Sequence, residues 1–291
     1  LAIAYCASIG GIATPIGSPP NLIFIGAYKQ ATGIEITFSE WMRIGVPVVF
    51  LFVPFVLYWL CRSLPNQNLD THLPKPPKLL IKHKWVLTIF AFTALAWITR
   101  KEPFGGWSGA LGISTANDAA VALAAVVTLF VIPNGEGGKL LNWEQASKIP
   151  WGILLLFAGG LTLAAAFGKT GLTVGIAQQL QAVTTIPTLL MMVCVCLMMT
   201  FLTEVTSNTA TTALFMPVLA SVGLAAGIDP IYLMIPAAIS ASCAFMLPVA
   251  TAPNAIVCGS GQITVQEMIR TGIVLNCIGI AVISGWSYLM L

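Results

Sequence analysis

TSNTATT, residues 206–212, interrupts an apolar run, with PTLLMMVCVCLMMTFL (187–202) before it and ALFMPVLASVGLAAG (213–227) after it. Within 203–212, seven of ten residues are Thr, Ser or Asn, and Glu204 adds a carboxyl. An unpartnered polar group in hydrocarbon costs several kcal/mol, so each needs a partner, water or a ligand. One or two hydroxyls can bond back to their own helix carbonyls. Seven in ten residues point instead to a site; at about 40 residues, 187–226 is long enough for two full crossings, but its polar centre fits the tip of a re-entrant hairpin better.

The flanks set the solvent. Of the 291 residues 57% are hydrophobic and 8% are charged, against roughly a quarter charged in a soluble domain. Apolar stretches at 1–26, 44–60, 85–99, 116–133, 151–167, 187–226, 231–258 and 271–290 approach or exceed the length of a bilayer crossing. They read as helices, because a closed barrel would show weaker segments of about ten alternating residues. The fold class is therefore all-α, a polytopic membrane protein in contact with the lipid bilayer. The chain begins inside an apolar stretch without an initiator Met, so it is expected to be a piece of a longer protein.

The longest polar connection, 61–84, carries Arg62, Lys75, Lys78, Lys82 and Lys84 against Asp70 alone. The positive-inside rule assigns it to the cytoplasm, and LPKPPK within it reads as a semi-rigid linker. On either side of this linker lie two related stretches. PIGSPPNLIFIG (15–26) matches PVATAPNAIVCG (248–259) at a constant shift, 248 − 15 = 233. ITFSEWMRIG (36–45) matches ITVQEMIRTG (263–272) at 263 − 36 = 227, pairing Glu40, Arg43 and Gly45 with Glu267, Arg270 and Gly272. Two matches in the same order mark an internal repeat. Crossings at 44–60, 85–99, 116–133, 151–167 and 231–258 separate Arg43 from Arg270 if 187–226 enters and leaves on one side. Five is odd, which makes the repeats inverted, a pattern of secondary transporters with sites at the repeat interface. Asn208 shifted back by 233 falls upstream of Leu1, where a second copy of its motif is expected.

GSPPN (17–21) and ATAPN (250–254) break their apolar segments in both repeats. Proline removes an amide donor and disfavours helix in the residue before it, freeing carbonyls around Gly17 and Ala250. Such carbonyls, with Ser, Thr and Asn oxygens, suit a small hard cation. Half-helices restarting after Asn208 and Asn21 would turn amides and a positive dipole end toward an anion. No Lys or Arg lies at the centre of an apolar segment, so a buried dianion would be neutralised by co-bound cations. Asp118 reads as a helix-start residue that complements the dipole. Glu204 is open between supporting the hairpin tip and a cation-linked role.

Other classes fit poorly. A net charge of +3 without aromatic interleaving argues against nucleic acid. Both histidines, His72 and His83, lie in the basic linker, which leaves no His-based metal or nucleophile site in the membrane, and an enzyme is not expected. Cys194, Cys196, Cys243 and Cys277 lie in apolar runs and read as small buried hydrophobes, with no disulfide framework. Trp41, Trp107, Trp143, Trp151 and Trp286 flank apolar segments as an aromatic belt would.

With SNT at 207–209, GSPPN and ATAPN together, essentially the whole chain resembles the divalent anion:sodium symporters, which include the sodium-dependent dicarboxylate transporters. The resemblance implies homodimers in a bacterial plasma membrane, with a scaffold domain and a transport domain that moves like an elevator. It places 1–60 in the first inverted repeat, with broken helix 1–26 in the transport domain and 44–60 in the scaffold. It places 85–291 in the second repeat, with 85–133 as scaffold, 151–258 mainly transport domain and 271–290 as the last helix. By the same resemblance Asn208 and Thr209 touch the substrate carboxylate, with Ser18, Thr251 and Pro253 alongside. One sodium site would use Thr203, Thr206, Asn208 and the Ala250 carbonyl, and another the Gly17 carbonyl with ligands from upstream. The expected function is sodium-coupled symport of C4-dicarboxylates such as succinate, malate or fumarate. A sulfate or citrate carrier, or a sodium-independent exchanger, shares the architecture. An anion channel would need a continuous polar pore, and in an arsenite or proton-linked antiporter Glu204 would titrate with activity.

Overall fold

A computed structural model describes residues 1–62, 80–102, 104–113, 115–171, 175 and 186–291. Most of the basic connection 61–84 lies outside these residues. The described residues are helical, and their β pairing is one isolated bridge between Pro133 and Lys139. In chain order the helices are α1 (Ala2–Gly10), α2 (Pro19–Thr32), α3 (Phe38–Cys61), α4 (Ile81–Ile98), α5 (Gly106–Ala110), α6 (Asp118–Val131), α7 (Trp143–Ala146), α8 (Trp151–Lys169), α9 (Thr188–Thr203), α10 (Asn208–Ala225), α11 (Ile231–Ala241), α12 (Ala252–Gly259) and α13 (Val265–Met290). Among the described residues α3, α4 and α13 are long and apolar enough to cross a membrane, and α6, α9 and α11 are shorter apolar helices.

Local sequence explains the breaks. After α1 the chain makes two short 3-10 turns, Gly11–Ala13 and Pro15–Gly17, before Ser18 turns extended and α2 begins on Pro19 and Pro20. Proline is accommodated there because the first turn of a helix leaves its amides unbonded. The second copy behaves alike. α11 ends at Ala241, residues 242–251 are irregular, and α12 starts at Ala252 and Pro253 behind an extended Thr251. The acids that the repeat paired are capping residues. Thr37 and Glu40 form a reciprocal capping box on α3, and Thr264 and Glu267 form one on α13.

The chain forms two compact units, Leu1–Leu64 with Trp151–Leu291, and Pro65–Pro150. In the first, α9, α11 and α13 pack on one another, α10 packs on α2, α8 and α11, and α3 packs on α1 and α13. Helix 44–60, expected in the scaffold, thus lies within α3 and packs in the first unit. An aromatic cluster fills the space beside the broken segments. Tyr5 and Phe52 meet Phe245 at ring separations of 5.0 and 5.8 Å, and Phe24 meets Trp41 at 5.6 Å. Trp41 is fully buried, so it is a core residue and not a belt residue. Trp143 and Trp151 are exposed, as a belt requires. Cys196 and Cys243 are buried, whereas Cys194 and Cys277 face outward, because one helix face only is turned to the core; all seven cysteines are free.

In the second unit, α4 packs on α6. Arg100 is 2% exposed and its Nε lies 2.7 Å from the Asp118 carboxylate. Asp118 therefore begins α6 and also neutralises a buried arginine. The Trp97 indole donates to the Asp118 carbonyl at 2.9 Å, and Arg100 Nη1 to the Ala116 carbonyl at 3.0 Å.

Candidate functional site

The two broken segments have the same internal geometry. Asn21 Nδ2 donates to the carbonyls of Gly11 and Thr14 at 3.0 and 2.8 Å. Asn254 Nδ2 donates to the carbonyls of Ala244 and Leu247 at 3.0 and 3.1 Å. Those acceptors are related by 244 − 11 = 233 and 247 − 14 = 233, the repeat shift itself. Each asparagine is fully buried and pins the turn before its helix. Because the amide nitrogen is committed to two carbonyls, each Oδ1 must point away, and both oxygens are buried without a hydrogen-bond partner.

A cavity of about 480 Å³ opens between these segments and the TSNTATT turn. Its walls include Gly17, Ser18, Pro19 and Pro20 from the first break, Ser207, Asn208 and Thr209 from the turn, and Ala250, Thr251, Ala252 and Pro253 from the second. Ala7, Ser8, Ser242 and Val249 complete the lining. The expected residues Gly17, Ser18, Asn208, Thr209, Ala250, Thr251 and Pro253 thus meet in one cavity. Thr203 and Thr206 are not on its wall. Thr203 is fully buried and its hydroxyl donates to the Met199 carbonyl at 2.8 Å. The Thr206 hydroxyl donates to the Leu202 carbonyl and lies 2.7 Å from that of Thr211.

Three helices begin at this cavity. Ser18, Ser207 and Thr251 are the cap residues of α2, α10 and α12, and all three line it. The Ser207 and Thr251 side chains accept from the Ala210 and Asn254 amides. The restart expected after Asn21 therefore occurs earlier, at Pro19, since Asn21 serves inside the helix as a turn peg. Each helix start carries roughly half a positive charge on its unbonded amides. No Lys or Arg is among the lining residues, so positive potential for an anion comes from backbone. Oxygens for a cation are also present: the Asn208 Oδ1 is buried without a partner, like those of Asn21 and Asn254.

Two lining serines escaped sequence reasoning. Ser242 sits 2.8 Å from Ser18 across 224 residues, oxygen to oxygen, and stitches the first break to the end of α11. Ser8 lies in α1, and neither serine belongs to a repeated motif that could have drawn attention. Ser207, part of the SNT tripeptide, acts through its cap. Two other cavities lack this convergence. One of about 350 Å³ in the second unit has its Lys82 paired with Glu136 at 2.8 Å. One of about 730 Å³ lies beside Arg62, whose guanidinium stacks on Trp59, and Arg270.

Long apolar helices, broken segments and a polar cavity of helix ends define an integral membrane protein built around a polar site. The family model for the sodium:sulfate symporter transmembrane region matches residues 1–291, and the chain belongs to that family. It is 38% identical over 296 aligned residues to the sodium-dependent dicarboxylate transporter SdcS of Staphylococcus saprophyticus, covering 97% of this chain and 56% of the relative. The same identity and coverage hold for SdcS of Staphylococcus aureus strain USA300. The chain thus spans about half the length of these curated relatives.

Proposed function

We propose that this chain is the larger part of a sodium-coupled carrier that takes up C4-dicarboxylates across a bacterial plasma membrane, and not an enzyme. The observation that supports this reading best is the meeting of three helix starts with Asn208, whose Oδ1 is unpartnered, in a cavity lined by no lysine or arginine. A dianion there gains from backbone amides but retains excess charge, and sodium ions on neutral oxygens supply the balance. The name of the SdcS relatives supports the same cargo and the same cation. Asn208 and Thr209, with Ser18, Thr251 and Pro253, hold the anion. Asn208 and the Ala250 carbonyl hold one sodium ion together with Thr203 and Thr206. Those two hydroxyls donate their protons to helix carbonyls, which leaves oxygen lone pairs to accept a cation. The Gly17 carbonyl contributes to a second ion with ligands from upstream.

The related segments are inverted repeats, and 187–226 is re-entrant. The carrier is a homodimer in which 44–60 and 85–133 form the scaffold and the broken segments travel with the cargo. Labelled succinate uptake into proteoliposomes by the full-length parent tests the reading, with sodium replaced by potassium or choline and with sulfate and citrate as competitors. Sodium-dependent uptake blocked by C4-dicarboxylates alone is the expected result. Competition by sulfate or citrate reassigns the cargo within the family, and indifference to sodium assigns an exchanger.

A further inference from the structure

The irregular residues 244–247, just before the cavity wall at 249–253, are held from several directions. The Tyr5 hydroxyl donates to the Phe245 carbonyl at 2.8 Å, and Asn254 holds the carbonyls of Ala244 and Leu247. Their amides point to one carboxylate and its neighbour. Glu204 accepts from the Met246 and Leu247 amides, both at 2.9 Å, and from Asn276 Nδ2 at 2.7 Å. Asn276 Oδ1 in turn accepts from the Phe245 amide at 3.3 Å. Glu204 is 3% exposed, and all three of its donors are uncharged.

Glu204 follows the last residue of α9 and stands four residues before Asn208, while Leu247 stands three before Ala250. The carboxylate therefore ties the hairpin tip to the second break, and Asn208 and Ala250 of these two segments line the same cavity. We propose that Glu204 is a positioning residue for the cation. It sets the spacing of these two residues, and its charge, met by uncharged donors among the described residues, adds attraction for a cation lodged between them. The proposal rests on the sodium-coupled reading above.

An amide cannot replace this group. Gln has one acceptor oxygen, and its NH2 would meet donors where Glu204 meets them with oxygen. Asp keeps the charge and both acceptors on a side chain one methylene shorter. In the full-length carrier, Glu204→Gln is expected to raise the sodium concentration for half-maximal uptake by about tenfold or more, the range for losing bonds to a charged group. The maximal rate at saturating sodium changes less, and Glu204→Asp falls between the two. Asn276→Ala, which keeps the carboxylate and removes one donor, moves the sodium requirement in the same direction by a smaller factor. The rise in melting temperature of the purified carrier on adding sodium shrinks in the same order. A parent that needs sodium, with either Glu204→Gln or Asn276→Ala leaving the requirement and the thermal shift unchanged, overturns the proposal alone. A parent indifferent to sodium overturns both the functional reading and this proposal.

Discussion

The two broken segments, 11–21 and 244–254, solve one backbone problem with different side chains. In both, a buried asparagine grips the two carbonyls related by 233, and a glycine of the following long helix lies against the carbonyl between them. A Cβ on Gly45 would come within 2.4 Å of the Ile12 oxygen, and one on Gly272 within 2.3 Å of the Phe245 oxygen. The donor to that carbonyl differs. Ile12 receives the Trp41 indole N–H at 2.9 Å, whereas Phe245 receives the Tyr5 hydroxyl from the other segment's own α1. The backbone geometry belongs to the repeat. The side chains that satisfy its remaining polar groups are drawn from wherever the packing brings a donor.

If that division is right, substitutions at the shared turn residue should act on the whole cavity, and those at paired positions should act alike. Asn208→Ala removes a wall residue that faces both breaks, and it is expected to abolish succinate uptake while the carrier still reaches the membrane. Uptake at the parent rate would remove TSNTATT from the site. Gly45→Ala and Gly272→Ala are expected to lower stability by about 1–3 kcal/mol or more each, because backbone must shift to admit a methyl group. Thermal unfolding of purified protein checks this, and a loss confined to one of them breaks the equivalence.

Tyr5→Phe leaves the buried Phe245 carbonyl without its donor, a cost of about 1–3 kcal/mol by the usual penalty for an unpaired buried group. Trp41→Phe costs more in the first segment because it also removes volume. Equal melting temperatures for parent and Tyr5→Phe would show the hydroxyl to be dispensable. The smallest effects are expected for Ser18→Ala and Thr251→Ala, which weaken succinate affinity severalfold with little change in thermal stability. Comparing the two variants sharpens the picture: a larger loss for one shows toward which segment the anion lies.

Much of the site was legible because it rests on local backbone rules. Prolines and asparagines at a fixed shift mark the breaks wherever they occur and point to Gly17, Ala250 and Asn208, whereas Ser18, Thr209, Thr251 and Pro253 came with the family resemblance. Trp41 misled because an indole between an apolar stretch and a charged turn resembles an interfacial anchor. Its burial depends on the Ile12 carbonyl, 29 residues away. Arg100 and Asp118 lie at opposite ends of a connection with no periodic signal, so their ion pair left no trace in the pattern.

The sequence by itself determined that the chain is helical and membrane-embedded, that it carries a repeat, and where its helices break. Those properties come from composition, periodicity and the missing amide of proline, which act within a few residues. Only the tertiary structure decided that three helix starts share one cavity, that Ser242 joins Ser18, and that Glu204 binds amides 42 and 43 residues away. Such pairings are set by which helices pack together. A polar group buried in a helical bundle takes the nearest complementary partner, and distance along the chain says nothing about which one that is.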